Sequence, residues 1–310
     1  MTTQITLSPV DGRAYVERTL ATPVQIEAAL ESARLAQRVW REVAMAERAA
    51  ILSRFCDAFA SHGDAIAEEL TWQMGRPLRF APSEVRGTLE RARHMIAIAP
   101  AALADIDVGP KAGFHRFLRR EPLGVVFTVA AWNYPYLIAV NSVVPALMAG
   151  NVVVLKHSAQ TPLCAERFEE CLREAGLPEG AFQALHLSHA DTEHVIGDSH
   201  VDFVAFTGSV AGGHAVQRAA ASRFIGTGLE LGGCDPAYVR HDANLAHAIE
   251  NLVDGAYFNS GQSCCGIQRV YVHERLYEAF VDGWVDLTRK YVLGNPLDPE
   301  TTLGPVVRTA

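Results

Sequence analysis

The segment Asn259-Ser260-Gly261-Gln262-Ser263-Cys264-Cys265-Gly266 is a glycine-bracketed loop that offers two adjacent thiols. A thiolate is a strong nucleophile near neutral pH once a helix terminus or a neighbouring donor lowers its pKa, and it forms covalent acyl or hemithioacetal intermediates. A pair of buried structural cysteines is the competing reading, because free cysteine is among the most buried residue types. In Gly228-Leu229-Glu230-Leu231-Gly232-Gly233 one carboxylate sits among apolar neighbours. A raised pKa there would suit a general base, while a strand-end Glu paired with an Arg is the plainer alternative. Trp132-Asn133-Tyr134-Pro135 puts an amide donor after an apolar run, at the end of a strand where open α/β sheets bind ligands. Asn133 would hold a developing oxyanion or serve as a turn residue. Phe206 to Gly213 runs a strand into a helix through small residues, and the unpaired N–H groups of such a start, with Ser209 in the first turn, make a pyrophosphate site. It lacks G-x-G-x-x-G, so this segment alone is a weak dinucleotide signal. Lys156 ends the run NVVVLK and would reach ribose hydroxyls or cover surface.

These groups need elements to position them. Thr22 with Pro23 and Gln25 reads as a capping box opening a helix with the stripe Ile26, Leu30, Ala33 and Trp40. Helical periods continue to stops at Gly63 and Gly75, so the first hundred residues are expected to be mainly helical. Residues 105–122 turn polar and extended, as a hairpin or arm. Beyond Leu123, short apolar strands (VVFTVAAW, NVVVLK, FQALHL, VDFVAFTG) alternate with helices, the pattern of a doubly wound, mainly parallel α/β sheet covered on both faces. A helix over 244–258, the strand RVYVH and an amphipathic helix over 274–290 follow.

The 310 residues suggest two domains, and 49% hydrophobic with 20% charged residues excludes a disordered chain. A net charge of −8 without a basic block argues against nucleic acid as a partner, and no apolar run is long enough for a bilayer. With no basic, apolar leader in view, a cytoplasmic protein is expected. The six cysteines have no C-x-x-C spacing, and His186 with His189 has no further ligands at matching spacing, so neither a disulfide framework nor a metal is expected.

Taken together, the order and spacing of WNYP, the strand-ending Lys, FTGS, LELGG and N-x-G-Q-x-C resemble the aldehyde dehydrogenase superfamily over essentially the whole chain. The resemblance implies Cys264 as nucleophile, Glu230 as general base, and Asn133 as oxyanion donor together with the N–H of Cys264. It further implies cofactor contacts from Trp132, Lys156, Gly208, Ser209 and Gly213 to NAD or NADP. On that pattern, 1–102 and 123–233 form a Rossmann-like cofactor domain, 103–122 an oligomerisation hairpin, and 234–310 an incomplete catalytic domain, since family members continue beyond this point. The parent protein is then expected to be a homo-oligomer. Departures are Ala131 where a Pro is usual before Trp132, Cys234 where a Lys is common, and Ala159 where many NAD-using relatives carry a Glu against a 2′-phosphate; the last leaves NADP open. A substrate wall of Tyr134, Leu137, Ile138, Asn141, Phe258, Ser263 and Cys265 is expected to be mainly apolar. Relatives that oxidise succinate semialdehyde often carry an Arg where Asn141 stands, so a neutral aliphatic or aromatic aldehyde is expected. A cofactor-independent thiol esterase and a non-catalytic fragment are the alternatives.

Overall fold

The computed structural model describes residues 2–308. Alternation of polar and apolar residues at the start produces β1 (Thr3–Leu7) and β2 (Ala14–Thr19), an antiparallel hairpin turned at Asp11-Gly12, with Gly12 at φ 74°. The expectation of a mainly helical first hundred residues missed this hairpin, although Asp-Gly between period-2 runs is a hairpin signal. Four helices follow: α1 (Pro23–Trp40), α2 (Met45–Ser61), α3 (Gly63–Met74) and α4 (Ala81–Ala102). The capping box at Thr22 is formed, with Gln25 N–H donating to the threonine hydroxyl and the Thr22 N–H to the Gln25 side chain. Within the expected arm, β3 (Ile106–Asp107) and β4 (Phe117–Leu118) pair antiparallel.

The alternating part comprises β5 (Val125–Ala130), α5 (Pro135–Met148), β6 (Val152–His157), α6 (Pro162–Glu174), β7 (Phe182–Ala184), α7 (His189–Gly197), β8 (Phe203–Thr207), α8 (Val210–Ala220) and β9 (Gly226–Glu230). The five strands form one parallel sheet in the order β7-β6-β5-β8-β9. Every residue of β5 and β6 is buried, so both faces of the sheet are covered, as the continuous apolar runs require. The order reverses between β5 and β8, and the crevice beyond the carboxyl ends of these strands is where such sheets take ligands. The chain then forms β10 (Asp235–Val239), α9 (Leu245–Tyr257), β11 (Ile267–Val272) and α10 (Tyr277–Thr288), with β10 and β11 paired in parallel. The single helix expected over 274–290 is split, because a short 3-10 turn, Glu274–Leu276, precedes α10 and the His273 ring accepts from Arg275 N–H. Among the described residues no helix is long and apolar enough to cross a membrane.

Candidate active site

Two of the five sequence segments meet at the reversal point of the sheet. Trp132 and Asn133 follow directly on β5, and Gly208 and Ser209 on β8. Ser209 caps α8, its hydroxyl accepting from Gly212 N–H at 3.1 Å. The N–H groups of Val210 and Ala211, in the first turn, have no acceptor within the helix by position, so they face the crevice as donors. Lys156, at the end of β6, is only 7% exposed and its ammonium has no carboxylate within 4 Å among the described residues. Burial lowers its pKa, and the surface-covering alternative does not hold. Gly213, the fourth residue of α8, is buried, and a Cβ there would meet the Leu231 side chain at 2.8 Å.

The thiol loop crosses from α9 to β11 through Asn259, Ser260 and Gly261, all in the left-handed region at φ 54°, 58° and 72°. Two consecutive non-glycine residues there are costly and persist only when the surroundings fix them. Asn259 supplies that fixing: it is buried, its Nδ2 donates to Asn133 O at 3.0 Å and to Gln262 O at 3.2 Å, and its Oδ1 accepts from Arg76 Nε at 3.2 Å. Arg76 also donates to Asn133 O at 2.8 Å and pairs with the buried Glu84. The other Glu84 oxygen accepts from Tyr136 N–H at 2.9 Å and Leu137 N–H at 3.4 Å, satisfying the start of α5. This external cap starts α5 at Pro135. One buried ion pair therefore joins the Asn133 segment, the helix behind it and the thiol loop. Neither Arg76 nor Glu84 carries a local sequence signal beyond the Met-Gly-Arg stop of α3, and the sequence reading missed both.

Asn133 abuts the loop two residues before Cys264, with its Nδ2 donating to Gln262 O at 3.1 Å. A side-chain amide has two N–H donors, so one is left for a substrate oxygen. Cys264 is exposed, and its thiol is pushed above the ordinary value by the cover of the loop and by the adjacent Cys265. The reading of two buried structural cysteines fails, since both are exposed. Glu230, at the end of β9, is exposed as well, rather than set among apolar groups as its neighbours in sequence suggest.

Cys264, Cys265, Ser263 and Glu230 line one cleft of about 650 Å³, with Tyr134, Leu137, Ile138 and Asn141 of the expected wall. Phe258 stands behind it, stacked on Tyr134 at 6.1 Å between centroids, while Arg76 covers the same tyrosine ring at 4.9 Å. The cleft also holds a cation that sequence reasoning did not find: Arg91, from α4, donates to Asn141 Oδ1 at 3.1 Å. His157, the last residue of β6, is buried beneath the start of α5 and does not line the cleft. Its Nε2 lies 3.2 Å from Pro135 O and its Nδ1 3.0 Å from Ser158 N–H, so the network assigns a neutral ring, and burial lowers its pKa to about 3.

Comparison with known proteins gives the family of the chain and the likeness of its fold. The sequence model of the aldehyde dehydrogenase family matches residues 2–310. A curated protein of Mycobacterium tuberculosis (strain ATCC 25618 / H37Rv), succinate-semialdehyde dehydrogenase (NADP(+)) 1, is 35% identical over 306 residues, covering 97% of this chain. The chain spans 66% of that relative's length. The solved structure of Gox0499 superposes with a TM-score of 0.96 at 32% identity, covering 100% of this chain and 68% of that one. PnpE in complex with nicotinamide adenine dinucleotide gives 0.95 at 29% identity, over 99% of this chain and 63% of that one.

Proposed function

The chain belongs to the aldehyde dehydrogenase family, and from that premise we propose that it oxidises an aldehyde to a carboxylic acid with NAD or NADP, through a thioester on Cys264. The observation that carries this is the convergence of Cys264 and Glu230 on one cleft beside the ligand-binding edge of the parallel sheet. The residues present fit a nicotinamide dinucleotide: a buried, unpaired Lys156 ammonium and the open first turn of α8 suit ribose hydroxyls and a pyrophosphate, with Trp132, Gly208 and Ser209 at the crevice. Bound there, the cofactor supplies the two-electron acceptor.

The chain's own residues do the rest. Glu230, or a water it polarises, takes the Cys264 proton, and the sulfur adds to the aldehyde carbon. The remaining N–H of Asn133 and the backbone N–H of Cys264 hold the oxyanion, an interaction whose loss typically costs about 10²–10³ in rate. Once the carbon has given up its hydride, the acyl group is a thioester. Glu230, which is exposed and passes the first proton to solvent, then deprotonates a water; its attack on the thioester releases the acid, and the departing Cys264 thiolate takes a proton back to return the thiol. The apolar lining from Tyr134, Leu137, Ile138 and Phe258 supports an aliphatic or aromatic chain on the aldehyde. Relatives named for succinate semialdehyde support a chain about that long. NADP is supported by the same relatives and by Ala159, which offers no carboxylate against a 2′-phosphate. The exposed Phe114, Phe117 and Leu118 of the 103–122 hairpin support a role for it in subunit association.

The test follows reduction of NAD and NADP by absorbance with a panel of aldehydes. Turnover that disappears in Cys264→Ser, with a cofactor KM raised about tenfold or more in Lys156→Ala, is the expected result. Ester hydrolysis that survives Lys156→Ala without any cofactor reduction would favour the esterase instead.

A further inference from the structure

Resting on that reading of the cleft, we propose that Arg91 selects aldehydes that carry a carboxylate at the far end, by pairing with it at the mouth of the pocket. Arg91 and Asn141 belong to two helices that pack closely, α4 and α5. One turn before each, a Cβ on Gly87 would meet the Leu137 side chain at 3.2 Å, so the absence of a side chain at Gly87 lets the helices approach. That approach sets Arg91 beside Asn141, four residues further along each helix, where the Asn141 carbonyl oxygen accepts one guanidinium N–H at 3.1 Å. The remaining donors have no acidic partner within 4 Å among the described residues, although arginines elsewhere on the surface, such as Arg18, Arg119 and Arg167, are paired with carboxylates.

Arg91 and Glu230 are the two charged residues that line the cleft, and Leu137, Ile138 and Leu229 line it with them. A guanidinium pre-aimed by one hydrogen bond and otherwise unpaired, beyond an apolar stretch, is suited to bidentate recognition of a planar carboxylate. It also offsets the repulsion that Glu230 and a chain of net charge −8 exert on an anionic substrate. An uncharged aldehyde would leave those donors to water and gain nothing from them. The expectation of a neutral substrate rested on finding no cation at Asn141; the structure brings one to that position from another helix.

The test reads protection of Cys264 against iodoacetamide by succinate semialdehyde and by butanal, without cofactor, in the unaltered chain and in Arg91→Met and Arg91→Lys. Succinate semialdehyde should protect at a concentration about tenfold or more below that of butanal. Arg91→Met should bring the ratio of the two concentrations close to one, and Arg91→Lys should restore part of it. Equal protection by the two aldehydes in the unaltered chain, or a ratio that survives Arg91→Met, would overturn the proposal while leaving the aldehyde reading intact. If neither aldehyde protects Cys264, the aldehyde reading fails and the selectivity proposal with it.

Discussion

Around β5 and β6 every strand residue is buried, and one apolar core runs from Ile26 on α1 to Ala220 on α8. Around β10 and β11 the buried apolar residues are Val239, Ile249, Val253 and Phe280, with Tyr238 and Tyr271 of the strands exposed. The crevice that would hold a cofactor therefore stands on a large core, whereas the thiol that faces it grows from a small one. Hydrophobic burial alone does not hold Cys264 in register with Asn133. Polar ties across the cleft do this: Asn259 to Asn133, Arg76 to both, Ser260 Oγ to Gly304 O at 2.8 Å and Val307 N–H to Gln262 Oε1 at 2.8 Å.

The largest effect should come from cutting the tie that both regions share. Arg76→Met leaves the Glu84 carboxylate buried without its partner, which typically costs about 3–5 kcal/mol. Urea denaturation should show that loss; a change below about 1 kcal/mol would mean that the polar network is not what joins the two parts.

Phe280→Ala removes the largest apolar side chain buried in the small core, at a cost of about 3 kcal/mol. Hydrogen exchange should quicken at β11 and α10 while the amides of β5 keep their protection. Equal quickening at β5 would show that the two cores unfold as one unit.

At any single pH near neutrality the effect is smallest for a third change, which separates the regions by pH. His157 is buried and neutral, with its pKa held near 3, whereas His241 and His247 are exposed and His273 is half-buried. The unfolded chain takes up a proton on this residue near pH 6.5, which the folded one does not until about pH 3. The contribution is therefore whole above pH 6.5 and is lost as pH falls from there, at up to about 1.4 kcal/mol per unit. His157→Gln should flatten that slope in equilibrium unfolding, and an unchanged slope would assign it to other groups.

Much of the sheet was legible because its signals are local. The runs at β5 and β6 are apolar at every position, and the capping box at Thr22 lies within four residues. The segments that follow β5 and β8 could be placed at strand ends for the same reason. What was not legible depends on distant partners. The start of α5 is set by Glu84, some fifty residues earlier, and the cation in the cleft arrives from α4 beside a residue that offers only an amide. Sequence neighbours also misled at Glu230, where flanking leucines suggested an apolar setting and the strand end leaves the carboxylate exposed.

The close approach of Gly75 and Gly304 bears on the order in which the chain is made. A Cβ on Gly304 would fall 2.1 Å from the Gly75 carbonyl oxygen, so two stretches separated by most of the chain meet backbone to backbone. All five strands of the large sheet leave the ribosome before residue 264, and the stretch that secures Ser260 and Gln262 leaves some forty residues after them. On that order the crevice can fold while the Cys264 loop still lacks its ties to Gly304 and Val307, which form only when residues 304–307 return to Gly75.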